Sequence, residues 1–317
     1  MAIDCLCAGI LVADHLCAPI PKLPDAGQLI LADRLVLNIG GCASNAGMDL
    51  AKVGVNVGVV GCVGQDTLGR FVCETLEAGG IDTRGVRRLV DYGTSATLIV
   101  NVAGQDRRYI HSVGANAAFT AQDIPLDLVR QAKVLYVGGY LLMSKLEPAG
   151  LREIFRQARE LGVKTVLDVV VPNEGEHWSA IEAVLPETDV FLPNRDEAEL
   201  ITGLADPVAQ AEKFLAAGAG TAVITCGGDG TVLMTKGLRL KAGVYPVKYV
   251  DGSGSGDAFD AGYIAGLLNG ADPRQSLEWG SALGASCVRA IGTTAGVFTR
   301  AEAEEFMRAN ELAVSEF

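Results

Sequence analysis

The sequence predicts an α/β protein with a mostly parallel sheet flanked by helices, and a second, smaller sheet set apart from it. Three observations carry this. Along most of the 317 residues, apolar runs of strand length alternate with segments whose apolar residues recur at helical spacing. Two β-rich stretches, at about 14–37 and 94–112, interrupt that alternation. Polar residues, namely Asp168, Asn194, Thr225 and the loop 251–257, fall where predicted strands end, which is where ligands bind in open parallel sheets.

Residues 3–11 read as a buried strand. Residues 13–37 hold three prolines and then the run Leu29 to Leu37, a loop leading into one or two short strands. Ala46, Leu50 and Val53 share one face of a helix over 42–53 that Gly54 ends. A strand follows over 55–63, then a helix over 67–79. Residues 97–102, a turn at Gly104-Gln105-Asp106 and residues 107–112 make a hairpin. Tyr109 and His111 alternate on it, so they share a face and either touch a substrate or pack on their own sheet. Arg107 and Arg108 sit beside them, one solvated and either able to meet an acidic group. Further strands read at 133–138, 163–169, 189–192 and 221–226, with a helix presenting Leu151, Ile154, Phe155, Ala158 and Leu161 on one face. Asp168, at a strand end, either faces a ligand or caps the following loop.

Composition narrows the functions. Lys plus Arg is 26 against 38 Asp plus Glu, a net charge of −12 that disfavours a general nucleic-acid binder. No apolar run reaches the ~18 residues of a membrane span. No basic, then apolar, leader is visible, and the eight cysteines are scattered, several inside apolar runs. The expectation is a protein of a reducing compartment, the cytoplasm. With no Cys-x-x-Cys and three histidines, a structural zinc site is disfavoured. Walker A, Gly-x-Gly-x-x-Gly after the first strand, Gly-x-Ser-x-Gly and His-Glu-x-x-His are all missing.

Four segments carry candidate chemistry. In Asp251-Gly252-Ser253-Gly254-Ser255-Gly256-Asp257 a strand feeds a small-residue loop and then a helix over 257–269. Converging backbone N–H groups at a helix start make an anion site. Asp257 is either a helix-start residue favoured by the dipole or a base that takes a proton from an attacking hydroxyl. Gly40-Gly41 at a helix start admits a ligand close to the backbone, and Asn45 offers it a donor and an acceptor; the alternative is a tight turn. Asn194 and Glu197 have capping-box spacing, which suffices as structure, and also suit a hydrated Mg²⁺. Thr225-Cys226-Gly227-Gly228-Asp229-Gly230 is a hairpin turn or a place for nucleotide phosphates.

The order and spacing of Gly-Gly-x-x-x-Asn near 40, Asn-x-x-Glu near 195 and Asp-x-x-Gly-x-Gly-Asp near 255 resemble the ribokinase-like, or PfkB, carbohydrate kinases over nearly the whole chain. Ala13-Asp14, Gly114-Ala115-Asn116 and Gly292 with Thr293-Thr294 add to the likeness. The resemblance implies one doubly wound α/β kinase domain over 1–317, with the segments 14–37 and 94–112 inserted as a β-sheet lid. It implies transfer of the γ-phosphoryl group of ATP to a sugar hydroxyl, Asp257 acting as base and the backbone of Gly254, Ser255 and Gly256 as anion hole. Asp14, Gly41, Asn45 and Asp257 then hold the sugar. Asn194, Thr225, Gly227, Gly230, Gly254 and Gly256 hold the nucleotide, with Glu197 at Mg²⁺, through water. Asp251, Ser253 and Gly292 fall where many members bind a monovalent cation, commonly K⁺. Gly252 stands where the family usually has Thr, Ser255 where Ala is frequent, and Gly47 where Ala, Ser or Thr is usual.

The expected function is therefore an ATP-dependent sugar kinase. The alternatives are a nucleoside kinase of the same family and, from another class, a non-catalytic sugar- or nucleotide-binding regulator on the same fold. Related enzymes often pair their lid sheets, so a homodimer covering Leu29, Leu31 and Leu35 is expected. Neither nucleic acid nor membrane is expected as a partner.

Overall fold

Strand β1 (Cys5–Gly9) is buried from end to end, as a strand with both faces covered must be. Its side chains alternate between the two cores: Cys5 and Cys7 enter one hydrophobic cluster, Leu6 and Ala8 the other. The computed structural model describes residues 3–105 and 108–317. The expected turn residue Asp106 and the cation Arg107 lie outside the described residues.

After β1 the chain leaves to make β2 (Val12–Ile20) and β3 (Leu35–Gly40), and returns through α1 (Cys42–Lys52), β4 (Val57–Gly64), α2 (Thr67–Ala78) and β5 (Asp82–Leu89). It leaves again for β6 (Ala96–Val102) and β7 (Arg108–Ser112), and returns through the single-turn α3 (Leu126–Val129). Alternation then runs through β8 (Val134–Gly138), α4 (Pro148–Glu160), β9 (Lys164–Leu167), α5 (Trp178–Val184), β10 (Val190–Phe191), α6 (Arg195–Thr202), α7 (Pro207–Ala216) and β11 (Thr221–Thr225). The edge strands β12 (Thr231–Thr235) and β13 (Arg239–Ala242) precede α8 (Ser255–Leu268), α9 (Pro273–Cys287), α10 (Arg300–Ala309) and β14 (Val314–Glu316).

The large sheet has ten strands in the order β14-β13-β12-β11-β10-β9-β8-β1-β4-β5. From β5 to β11 every pairing is parallel; β12, β13 and β14 add an antiparallel edge. Side chains of α1, α2, α8, α9 and α10 cover one face, and those of α4, α5, α6 and α7 the other. This is the expected doubly wound arrangement. Strand order reverses at β1, between β4 and β8, so a crevice opens at the C-terminal ends of those strands. The two β-rich interruptions meet in one four-stranded sheet, β3-β2-β6-β7.

Three local expectations change. Strand β5 is not among the expected strands, because the charges of its sequence, DTRGVRRL, suit a sheet edge rather than a buried strand. The run 29–37 is extended in a ladder only from Leu35; Leu29 and Leu31 are more than four-fifths exposed and have no neighbouring strand. No strand feeds the 251–257 loop either. Residues 243–250 are irregular, and Val250 and Asp251 instead donate backbone N–H groups to the Val288 carbonyl.

Helix α8 is held tightly. A Cβ on Gly262 would lie 2.3 Å from the Trp279 carbonyl oxygen, and one on Gly266 2.7 Å from the Ser276 Cα. Backbone therefore packs on backbone between α8 and α9, and the N-terminus of α8 is set by the protein core.

Candidate active site

The crevice brings α1, α8 and the small sheet together. Gly254 caps α8 in a left-handed conformation (φ 75°, ψ 3°), which an L side chain enters only at a cost. That turn leads Ser255 and Gly256 into the first helical turn, where backbone N–H groups lack intrahelical acceptors. Asp257 follows in the same turn. Its Oδ2 accepts a hydrogen bond from Asn45 Nδ2 at 2.8 Å, across 212 residues of sequence. The Asn45 Oδ1 is buried and has no hydrogen-bond partner among the described residues. A buried acceptor left this way is costly unless a ligand donates to it.

Asp14, on β2, is 6% exposed. Gly40 makes room for it, since a Cβ there would sit 2.0 Å from Asp14 Oδ2, and Gly41 caps α1 with φ 88°. Burial, and then the charge of Asp257, push the Asp14 carboxyl up to about 6, against a hydrogen bond with Thr97 that favours ionisation. Thr97 Oγ1 also lies 3.1 Å from His111 Nδ1. Asp14, Thr97 and His111 thus form a polar row on the small sheet. Arg108 is engaged with Gln105.

Asp168 follows β9 and belongs to the site. One ligand atom each of Cys42, Asp168 and Asp257 lies within 4.8 Å of the others. Gly139 N–H donates to Asp168 Oδ2 at 3.0 Å. Burial and the Asp257 charge nevertheless push Asp168 up to about 7. Burial also raises Asp257, opposed by its bonds with Asn45 and Cys42. Behind them Asp260 is buried, accepts from the Tyr136 hydroxyl at 3.0 Å, and is raised well above the carboxylate range, mainly by burial. Cys42, Tyr136 and Asp260 were not anticipated from sequence; a buried acid three residues after Asp257 has the spacing that could have pointed to it.

Asn194 and Glu197 form the capping box their spacing predicts: Asn194 Oδ1 accepts from Glu197 N–H at 2.9 Å, and Glu197 Oε2 from Asn194 N–H at 3.0 Å. Burial and the Asp168 charge still push Glu197 well up. A bridge between Asn194 and Thr225 extends the parallel ladder and puts both at the mouth of a cavity of about 660 Å³. Gly227, Gly230, Ser255 and Gly256 line it too. Gly254 does not; it turns the chain beneath. The apolar walls, including Tyr245, Phe259 and Val288, were missed by sequence reading because they lie on an irregular segment and on two helices. The hairpin expected at 225–230 forms, joining β11 to β12. A second cavity of about 440 Å³ lies between the small sheet (Leu16, Val36, Asn101) and the loops of Tyr249 and Ile291.

Asp251, Ser253 and Gly292 also come together: Asp251 accepts from Ser253 N–H and Gly292 N–H, each at 3.0 Å. Among the described residues, no helix is long and apolar enough to cross a membrane.

The site is thus a cavity that reaches the N-terminus of α8, beside a cluster of buried carboxyls raised above the usual carboxylate range. A model of the pfkB family carbohydrate kinases matches residues 3–300. A ribokinase of Haemophilus influenzae is 26% identical over 306 residues, covering 94% of this chain and 96% of its own. A 5-dehydro-2-deoxygluconokinase of Clostridium perfringens is 28% identical over 286 residues, 85% of this chain and 84% of its own. The structure of an Arabidopsis thaliana ribokinase complexed with ribose and ATP superposes with a TM-score of 0.83 at 21% identity, covering 97% of this chain and 99% of the other, a likeness of fold.

Proposed function

Since the chain belongs to the pfkB family of carbohydrate kinases, phosphotransferases with an alcohol acceptor, we propose that it moves the γ-phosphoryl group of ATP to a hydroxyl of a small sugar, with Asp257 as the base. The observation that carries this reading is the Asn45–Asp257 pair at the N-terminus of α8, whose Ser255 and Gly256 line the larger cavity. Asn45 donates to one carboxylate oxygen and leaves the other for a substrate hydroxyl. The unpartnered Asn45 Oδ1 accepts from a neighbouring hydroxyl. Asp14 holds a further one, and bare Gly41 lets the sugar ring approach the backbone. The small sheet acts as a lid whose closure excludes water from the transfer.

The 660 Å³ cavity takes the nucleotide, its base against Tyr245 and Val288, its phosphates toward Thr225, Gly227, Gly230 and Asn194. As the hydroxyl oxygen attacks phosphorus, its proton passes to Asp257. The bond from phosphorus to the bridging oxygen breaks, and its electron pair leaves on ADP. Backbone N–H groups of Ser255 and Gly256, positioned by Gly254, meet the charge on the transferring group. A carboxyl with raised affinity for protons suits the role of base.

The hard oxygen donors of Asp168 and Glu197 fit Mg²⁺. Glu197 would hold it through water, and the ion would supply positive charge to neutralise the phosphates. Free cysteines, eight of them, support a cytoplasmic setting. The exposed Leu29, Leu31 and Leu35 support a homodimer through the lid.

The test is ADP release with Mg-ATP across pentoses, hexoses, keto-acid sugars, nucleosides and sugar phosphates. Asp257→Asn should lower turnover on the accepted class by about 10²–10⁴-fold, the usual worth of a general base, with ligand binding retained. A nucleoside as the only acceptor would replace the sugar reading. Ligand binding with no turnover on any class would favour the binding protein.

A further inference from the structure

The segment after α9 lies directly behind the anion hole. A Cβ on Gly254 would come within 2.3 Å of the Thr293 carbonyl oxygen, so the backbone at Thr293 supports the cap of α8. The Thr293 hydroxyl donates to the Ile39 carbonyl at 3.1 Å, which ties the same segment to the start of Gly40-Gly41. Anything that moves this segment moves both halves of the site.

A monovalent cation here would need several backbone carbonyls turned toward it to replace its water. In this chain several carbonyls of the segment and of its neighbours already accept from, or lie against, side chains. Lys52 Nζ, from the last turn of α1, donates to the Thr294 carbonyl. Arg289 donates through Nε to the Ser286 carbonyl at 3.2 Å and through Nη2 to the Gly296 carbonyl at 3.0 Å. The Cys287 thiol lies 3.2 Å from the carbonyl oxygens of both Ser253 and Thr293. Both Asp251 oxygens accept backbone N–H groups, and Gly252 brings no side chain. Two fixed positive charges also border the segment. The residues at the expected K⁺ position therefore do not fit a bound K⁺.

We infer that Lys52, with Arg289, supplies from within the chain the positive charge that holds the 286–296 carbonyls behind the anion hole, so that Lys52 is a positioning residue and catalysis needs no monovalent cation. Asp49, three residues earlier on α1, is fully buried with neither carboxyl oxygen hydrogen-bonded to a described residue; burial pushes its carboxyl well above the carboxylate range, and the Lys52 charge opposes that.

The inference rests on the kinase reading, so its test carries one readout independent of turnover. Turnover and thermal unfolding are measured for the parent chain, Lys52→Met and Lys52→Arg, in potassium, sodium and tetramethylammonium chloride at equal ionic strength. The parent should show the same kcat and the same Tm in all three salts. Lys52→Met should lose kcat in tetramethylammonium by up to about 100-fold, as a misplaced catalytic group does, with the KM for ATP little changed. Potassium should not restore it, since the Asp251, Cys287 and Arg289 contacts remain, and Lys52→Arg should behave as the parent. A parent that K⁺ activates or stabilises selectively overturns the inference, as does Lys52→Met with parental kcat in tetramethylammonium. If Lys52→Met does not fold, the parent and Lys52→Arg across the three salts decide it. Absence of turnover in every salt refutes the kinase reading alone, and the dependence of Tm on K⁺ then decides this one.

Discussion

Replacing Asp168 by Asn should stabilise the ligand-free protein at neutral and alkaline pH while weakening its hold on Mg-ATP. Asp168 is 8% exposed, accepts one backbone N–H from Gly139, and has no cation beside it among the described residues. Burial first, then Asp257, push its carboxyl to about 7 from 3.8. The folded state therefore binds a proton that the unfolded state has lost between about pH 4 and pH 7. Stability associated with this group is fully present below pH 4 and is lost as pH rises through 7. Each tenfold change in proton affinity is worth about 1.4 kcal/mol, so the loss on complete ionisation is about 4 kcal/mol. Asn keeps the bond from Gly139 and carries no charge, so it matches the protonated acid in shape and polarity. Urea unfolding of parent and variant, run from pH 4 to pH 9, gives the assay. The two should be nearly equal at pH 4, the variant should gain steadily to pH 7, and the gap should stay level above that. Saturating Mg-ATP should narrow the gap at pH 8 by stabilising the parent more. A gap independent of pH, or a parent more stable than the variant at pH 8, would refute the electrostatic reasoning.

Other outcomes follow from the same geometry. Asp14 is pushed up to about 6, so kcat/KM for the sugar should fall as pH drops through 6, and Asp14→Asn should remove that acid limb along with most of the affinity. Gly254→Ala should destabilise the fold by about 1–2 kcal/mol from the left-handed conformation alone, and more from the Cβ driven to 2.3 Å from the Thr293 carbonyl; chemical denaturation and kcat should report it together. Leu29→Asp with Leu31→Asp should give a monomer in sedimentation at micromolar concentration if the lid pairs with a second copy, and a monomeric parent would remove that expectation.

The parts legible in the sequence share a local cause. Cys5 to Gly9 could be read as buried because a strand covered on both faces is apolar throughout. The Asn194–Glu197 box could be read because its donors and acceptors are three residues apart. Small residues from Gly252 to Gly256 marked a tight turn into α8 for the same reason: their backbone freedom is a property of the residues themselves. Strand β5 stayed hidden because an edge strand need not be apolar, and residues 243–250 misled because β-forming side chains such as Val244 and Tyr249, about half exposed or more, found no ladder to join.

From sequence alone came the alternation of strands and helices, the two departures into a small sheet, and the Gly, Asn and Asp positions that fall at strand ends and helix starts. Tertiary structure decided what those groups experience. Asn45 meets Asp257 across 212 residues; Asp168, Asp260 and Glu197 bind protons tightly because folding removes them from water and sets them beside one another; and Lys52 reaches the carbonyl of Thr294. Burial and charge–charge distance depend on where every element packs, so no window of sequence contains them, whereas periodicity, capping and turn chemistry are complete within a few residues of chain.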